Sequence, residues 1–322
     1  MASNGKASVK SNGKSNGHNG DVYDVAIIGG GPAGLSAALW LARYLHKVIL
    51  IDSGDPRNWE TRGINGIIGS QGIRSPDLRR QGRVDAEGFG AKFVDDYVDD
   101  VQNVNSERFE LTLRDNGSIA ARRLLLAIGI RDIWPSIPGL SECYGETAHV
   151  CPDCDGFETR DCKTVVIGAG RKAVGMALNL TSWTNKIVIC TNGEPADMTQ
   201  PYLDKLKALN IPVLEEKVNR IMSENGEIRC MDLDGGMSLD CQRLYFAIGQ
   251  YPADDLGAQL KCERDEGGHI VVDERNRTTV LNVFAAGDIV PGPQLAIAAA
   301  SDGAIAALAI HASLVPDSRK LD

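Results

Sequence analysis

Tyr23-Asp24-Val25-Ala26-Ile27-Ile28-Gly29-Gly30-Gly31-Pro32-Ala33-Gly34 reads as a buried strand running directly into Gly-x-Gly-x-x-Gly. Beyond it Leu35, Leu39, Ala42 and Leu45 recur at helical spacing. Strand, glycine loop and helix in this order make the unit that binds a dinucleotide. Gly29 makes the tight turn, Gly31 lets the backbone approach a pyrophosphate, and Gly34 packs the helix on the sheet, with Pro32 and Ala33 completing the loop. The next strand, Lys47-Val48-Ile49-Leu50-Ile51, ends in Asp52, a carboxylate placed to take ribose hydroxyls.

The pattern returns further along the chain. Lys163-Thr164-Val165-Val166-Ile167 is a strand, Gly168-Ala169-Gly170-Arg171-Lys172-Ala173 a second glycine loop, and Val174–Leu180 its helix. Ala173 replaces the third glycine, an accepted variant. The strand Lys186-Ile187-Val188-Ile189-Cys190 then ends in Thr191-Asn192-Gly193-Glu194. Two further apolar strands, Arg123–Ile128 ending in Gly129 and Arg243–Ile248 ending in Gly249, echo one another. Ile133 to Gly139, with Pro135 and Pro138, reads as a linker. Residues 53–100 read as polar and loop-rich, Phe109–Leu113 as a strand, and Asn116-Gly117 as a hairpin turn. Val283–Ala286 delivers Gly287 and Asp288 before a helix from about Gln294 to Leu314. That helix is long and apolar enough to weigh as a membrane span, but Ser301, Asp302 and Gly303 interrupt it, so it reads as buried.

The expected fold class is α/β, with two Rossmann-like dinucleotide-binding domains, the second inserted in the first. Residues 21–133 and 250–322 form the first domain and 134–249 the second. Residues 1–20, where Ser-Asn-Gly-Lys occurs at 3–6 and again at 11–14, bury too little to order and read as a disordered tail. At 322 residues, with 43% hydrophobic and 24% charged residues, the chain is an ordinary α/β protein of about two domains. A formal net charge of −9 argues against nucleic acid or an anionic membrane as partner. Eight cysteines are too few for a disulfide scaffold and fit a reducing, cytoplasmic compartment in which one pair does redox work.

That pair stands between the two nucleotide signatures. In Cys151-Pro152-Asp153-Cys154-Asp155-Gly156 two thiols can close and reopen a small disulfide ring, and Asp155 follows the second sulfur, within reach of a proton. Half of a zinc site and two idle thiols are the alternatives. Cys143 and Cys162 flank the pair symmetrically and would complete a four-thiolate zinc or iron–sulfur set. Because Cys162 opens a strand, no metal is assigned. Cys190, Cys230, Cys241 and Cys262 read as small core or surface residues. His149 could lower a thiol pKa or relay a proton, or be a plain hydrogen-bonded histidine; Trp59, Trp134 and Trp183 could stack on a flavin or pack in the core.

Gly-Gly-Gly-Pro-Ala-Gly at 29–34, Cys-x-x-Cys-Asp-Gly at 151–156, Gly-x-Gly-x-x-Ala at 168–173 and Ala-Ala-Gly-Asp at 285–288 resemble, in order and spacing, the low-molecular-weight thioredoxin reductases. The resemblance runs from about residue 22 to the C-terminus. It implies a flavin domain split around a smaller nucleotide-binding domain, and a homodimer. FAD would be held at 29–34, Asp52, Gly287 and Asp288, with Gln294, Leu295 and Ala296 near the isoalloxazine. Gly129 is counted with this site, and Asn58 and Asn65 could contact the flavin ring. Cys154 would face the flavin, Cys151 would attack a substrate disulfide and Asp155 would be the acid–base group.

The second loop departs from the family. NADPH-using members carry a histidine and paired arginines after the strand matching 186–190, where this chain has Thr191-Asn192-Gly193-Glu194. Unless Arg220 or Arg243 folds into the site, a 2′-phosphate would find no cation and would meet Glu194, which argues against NADPH. Arg171 and Lys172 oppose the helix macrodipole by roughly 0.3–1 kcal/mol each unless an anion sits there. With Gly168 and Gly170 they could still hold a pyrophosphate, from NADH or a second flavin nucleotide. The expected activity is electron transfer between FAD, the Cys151–Cys154 pair and a thioredoxin-like protein or small-molecule disulfide. The alternatives are an oxygen-using dithiol oxidase, a reductase fed by ferredoxin or a second flavin, and a redox sensor without turnover.

Overall fold

Val25, Ala26, Ile27 and Ile28 are all buried, so both faces of their strand must be covered, as in a parallel sheet between two layers. The computed structural model describes residues 22–57, 61–105 and 107–320. The tail expected over 1–20 and the readings of Asn58 and Trp59 lie outside the described residues.

The chain begins with β1 (Val22–Ile28), α1 (Pro32–Arg43), β2 (Val48–Asp52), α2 (Ser75–Glu87), β3 (Lys92–Asp95), β4 (Val98–Asn105), β5 (Arg108–Leu113) and β6 (Ser118–Leu126). These strands form one sheet in the order β3-β2-β1-β6-β5-β4. β1 runs parallel to β2 and β6, whereas β4, β5 and β6 form an antiparallel meander. Side chains alternate between two cores. Val25 and Ile27 pack with Leu50, Leu125 and the inner face of α1, and Ala26 and Ile28 pack with Ile49, Leu111 and Leu124 on the other side. Burying a side chain such as Ile27 contributes about 1.5–3 kcal/mol.

After β6 come β7 (Ile130–Asp132), β8 (Ala148–His149), α3 (Pro152–Asp155), β9 (Thr164–Ile167), α4 (Gly170–Leu180), β10 (Ile187–Cys190), α5 (Gln200–Ala208) and β11 (Val213–Leu214). A meander, β12 (Val218–Glu224), β13 (Glu227–Leu233) and β14 (Ser238–Asp240), precedes β15 (Arg243–Phe246). The second sheet is wholly parallel, in the order β11-β10-β9-β15-β8. β16 (Gln250–Pro252) pairs antiparallel with β7, so the outgoing and returning chain form a two-stranded ribbon. α6 (Leu256–Gln259), β17 (Val283–Ala285) and α7 (Ala296–Leu314) follow, with β17 parallel to β6 in the first sheet.

Two sequence readings are corrected. The polar stretch 53–100 contains α2 and β3 as well as loops. Only Ser75 and Ala86 of α2 are buried, and with Leu78, Val84 and Ala86 as its few apolar side chains the helix is too polar to announce itself. The helix expected from about Gln294 to Leu314 runs unbroken through 301–303, but it is buried on one face only, with Ile297, Ile305 and Leu308 exposed. A side chain at Gly303 would stand 2.0 Å from the Ala33 carbonyl oxygen, so this glycine is where α7 crosses the first turn of α1. Among the described residues α7 is the one helix long and apolar enough to cross a membrane, yet Ala299, Gly303, Ala306, Ala307 and Ile310 are used inside the fold.

Candidate active site

The first glycine loop closes β1 and opens α1. Gly29 has φ of 108°, a conformation costly for any residue with a side chain. A β-carbon at Gly34 would lie 1.9 Å from the Gly29 carbonyl oxygen, so helix and strand are in contact there. Gly31 is different: it caps α1 in extended conformation, and nothing lies within 4 Å of where its β-carbon would be. That space belongs to a cleft of about 1030 Å³, open to solvent. The first loop (Gly29, Gly31, Pro32 and Ala33) lines it together with Asp52, Gly129, Gly287, Asp288, Gln294 and Ala296, and Gly287 stands close against Ala33. Gly34 lies behind the loop, and Asn65 and Leu295 line a neighbouring cavity instead.

Asp52 accepts from the Gly30 amide at 3.3 Å and the Gly54 amide at 3.2 Å, and pairs with Arg79 of α2. Arg57 sits deeper. It holds Asp132 through two bonds of 2.7 Å and reaches Asp288 and the Gln294 side-chain oxygen at 3.0 Å each. Burial would lower its pKa, but Asp132 and then Asp288 outweigh that and raise it. Arg57 therefore ties β7 to the two segments that wall the cleft. Neither arginine was singled out from sequence. Both lie in the polar stretch, where nothing in their spacing marks them.

Arg57, Ile64, Gln294 and Ala296 also line the neighbouring cavity, which holds Cys151 and Cys154. The two cysteines are joined as a disulfide, with Cα atoms 5.3 Å apart. Cys151 caps α3, and its Sγ accepts the Cys154 amide at 3.1 Å. Asn65 donates to the Cys154 carbonyl at 3.0 Å. Asp155 lines the same cavity, and burial, then Glu158, push its pKa up to about 7. Its protonated form thus persists near neutrality and is lost as the pH rises through about 7.

Trp183 does not line the cleft; its ring lies under the redox loop, 2.6 Å from where a Gly156 β-carbon would be. Pro152's carbonyl oxygen would be 2.5 Å away on the other side. Gly156→Ala is expected to destabilise the protein by about 1–3 kcal/mol through overpacking, read as a lowered midpoint in chemical denaturation. An unchanged midpoint would show that the loop and Trp183 can part freely. Trp134 packs at a tilt against Tyr144 and Phe246, with ring centroids at 4.2 and 5.7 Å, but is itself 41% exposed, so it covers the edge of the second unit's core. Cys143 is buried with its thiol on backbone carbonyls, and burial raises its pKa to about 12.

The second glycine loop is built differently. α4 begins at Gly170, whose amide donates to the Ala196 carbonyl at 2.8 Å. A β-carbon at Gly170 would lie 3.6 Å from the Asp197 carboxylate. Arg171 and Lys172 are exposed, and Lys172 reaches the Ile248 carbonyl at 3.5 Å. Arg243 pairs with Thr164 at the start of β9, opposite the end that carries Gly168, and Arg220 lies in the β12–β14 meander facing Asp232. Neither folds into the loop.

A cleft behind a dinucleotide-type glycine loop that shares a wall with a disulfide cavity, beside a half-buried acid, defines a redox enzyme acting on sulfur. The comparisons with known proteins agree. Residues 23–303 match the model of the pyridine nucleotide-disulphide oxidoreductase family, and the chain belongs to that family. It is 30% identical to the thioredoxin reductase of Rickettsia bellii over 88% of this chain and 96% of that protein. The thioredoxin reductase structure from Streptococcus pyogenes superposes with a TM-score of 0.85 at 25% identity, covering 91% of this chain and 98% of that one. The crystal structure of HlmI superposes at 0.87 with 34% identity, covering 92% and 94%. The protein is thus a flavin-dependent disulfide oxidoreductase of the thioredoxin reductase type, and membership of the family implies FAD and a pyridine nucleotide.

Proposed function

We propose that the first cleft holds FAD and that Cys151 and Cys154 exchange an electron pair between it and the disulfide of a thioredoxin-like protein or small molecule. The observation that carries this is the shared wall: Arg57, Ile64, Gln294 and Ala296 line both the dinucleotide cleft and the dithiol cavity. The open space at Gly31 fits a pyrophosphate. Gly29, Pro32, Ala33 and Gly129 would line it, Asp52 would take ribose hydroxyls, and Asp288 and Gln294–Ala296 would border the ring. Bound there, FAD supplies a two-electron carrier that protein side chains lack. The reduced Cys151 thiolate attacks one substrate sulfur and expels the other. Cys154 then attacks Cys151, releasing the second substrate thiol and restoring the disulfide. Asp155 gives and takes the protons.

Three further assignments belong to this reading. The domain limits fall at 133/134 and 249/250, where Ile133 donates to Gly249 at 2.8 Å beside the β7–β16 ribbon. The protein acts as a cytoplasmic homodimer, for which the exposed Trp40 of α1 and Ile305 and Leu308 of α7 offer an apolar face. NADPH is a poor donor: Thr191-Asn192-Gly193-Glu194 supplies no cation for a 2′-phosphate, and Glu194 would repel it.

Losing charge-assisted contacts to a 2′-phosphate costs about 1.5–3 kcal/mol each, roughly 10–150-fold in affinity. Anaerobic bleaching of the flavin by NADPH is therefore expected to be slow or absent, with electrons entering from NADH, ferredoxin or a second flavin. Rapid reduction by micromolar NADPH, much faster than by NADH, would overturn this assignment. The lack of a cation at 191–194 also favours a second reading, in which the enzyme oxidises a dithiol and passes the electrons to oxygen. Peroxide formed in step with dithiol loss would select it over thioredoxin reduction.

A further inference from the structure

His149 precedes the redox loop on β8, opposite Tyr245 of β15. Its side chain is only 7% exposed, and its Nδ1 lies 3.4 Å from the Asp155 Oδ2. His149 lines the same cavity as Cys151, Cys154 and Asp155, and its Nε2 is buried without a hydrogen-bond partner. Buried ring nitrogens are ordinarily paired, so an open one beside a reactive disulfide calls for a use. Of the polar groups around it, Tyr245 is committed, whereas the Arg243 Nε is likewise buried without a hydrogen-bond partner. Tyr245's hydroxyl is engaged by Thr159 at 2.8 Å, and burial raises its pKa. Arg243 of β15 approaches from the strand side, and Glu158, just beyond α3, acts on Asp155.

We propose that His149 and Asp155 act as one two-residue acid, the imidazole carrying a proton from Asp155 to the thiolate that leaves the substrate disulfide. The proposal rests on the disulfide-exchange reading above. A new S–S bond forms from Cys151 as the substrate S–S bond breaks, and its electron pair departs on the second substrate sulfur. Nε2–H protonates that thiolate while the Asp155 O–H proton crosses to Nδ1. His149 ends neutral in its other tautomer and Asp155 ends ionised. The pair recovers its proton from the Cys154 thiol when Cys154 attacks Cys151, and the substrate sulfur that had been bonded to Cys151 leaves to solvent as a thiolate. Burial supports the neutral starting pair: it holds Asp155 up to about 7, with Glu158 adding to it, and pushes His149 down to about 4, with Arg243 adding to it.

The test uses the FAD-loaded enzyme reduced with dithiothreitol, desalted, and mixed with either of two probes in a single turnover. Bis(2-hydroxyethyl) disulfide expels a basic alkyl thiolate that needs a proton, whereas an activated aryl disulfide expels a thiolate that does not. His149→Asn should slow the alkyl reaction about 100-fold, the low end of what a positioned acid contributes, and leave the aryl reaction within about threefold. The unmodified enzyme should lose alkyl rate as the pH rises through about 7, and the variant should show no such limb. His149→Asn combined with Asp155→Asn should be hardly slower than Asp155→Asn alone. Equal slowing of both probes, an unchanged pH limb, or additive losses would overturn the proposal. Failure of the unmodified reduced enzyme to react with either probe would instead sink the disulfide-exchange reading. If substitution at 149 prevents folding, ¹⁵N-histidine NMR of the unmodified protein decides. A neutral ring at pH 6 with its proton on Nε2 is expected, and a cationic ring or an Nδ1–H tautomer would overturn it.

Discussion

Gly31→Val is expected to yield a folded but colourless protein. Gly31 has φ of −77° and ψ of −178°, extended backbone that valine adopts readily. With no atom within 4 Å of the new β-carbon, the apoprotein loses no packing. The added side chain projects instead into the cleft, at the point where a pyrophosphate would approach the backbone. We expect FAD affinity to fall about 100-fold or more, equivalent to about 2.7 kcal/mol, read as flavin absorbance per chain and by titration of apoprotein. The denaturation midpoint without flavin should match that of the unmodified apoprotein. Gly30→Ala would be a poorer probe, because its β-carbon would lie 2.3 Å from the Asp52 carboxylate and disturb the fold itself. Full flavin content in Gly31→Val would remove the first loop from the flavin assignment.

The second large effect is expected at the thiols, and it separates their roles. Cys151→Ser and Cys154→Ser should each lower turnover by about 10³-fold or more, since each removes one of two obligatory sulfurs. They should differ in what they trap. In Cys154→Ser the Cys151 thiol remains, and the amide of residue 154 donates to its sulfur at 3.1 Å, which favours the thiolate. That variant should accumulate a mixed disulfide with substrate through Cys151, visible by mass spectrometry under non-reducing conditions. Cys151→Ser should form little, because Cys154 is assigned the resolving role. Exchange of the two phenotypes would reverse the assignment, and trapping by neither would exclude disulfide exchange through this pair.

The elements that make this fold were legible because local chemistry dictates them. β1, the loop at 29–34 and α1 follow from an unbroken apolar run, a turn needing φ above zero at Gly29, and helical spacing after it. β9, the second loop and α4 repeat that logic. α2 was not legible, because a surface helix burying two residues has too few apolar side chains to be read from them. Nor was the closeness of α7 to α1, since the glycine that permits it reads from sequence as an interruption.

For the site the division is sharper. By itself the sequence showed the cysteine pair, Asp155 beside it and the absence of Arg, Lys and His from residues 191–194, because each is a short motif of neighbouring residues. Tertiary structure alone decided what those motifs meet. Arg57 joins Asp132 and Asp288 from far along the chain, Arg79 joins Asp52, and Asn65 reaches the Cys154 carbonyl. Ala196 comes back onto Gly170, and His149 is turned toward Asp155 by the pairing of β8 with β15. The physical reason is that a motif specifies backbone shape and reactive atoms within a few residues. Charge pairing, burial and the pKa shifts they cause depend on segments that only the folded sheets bring together.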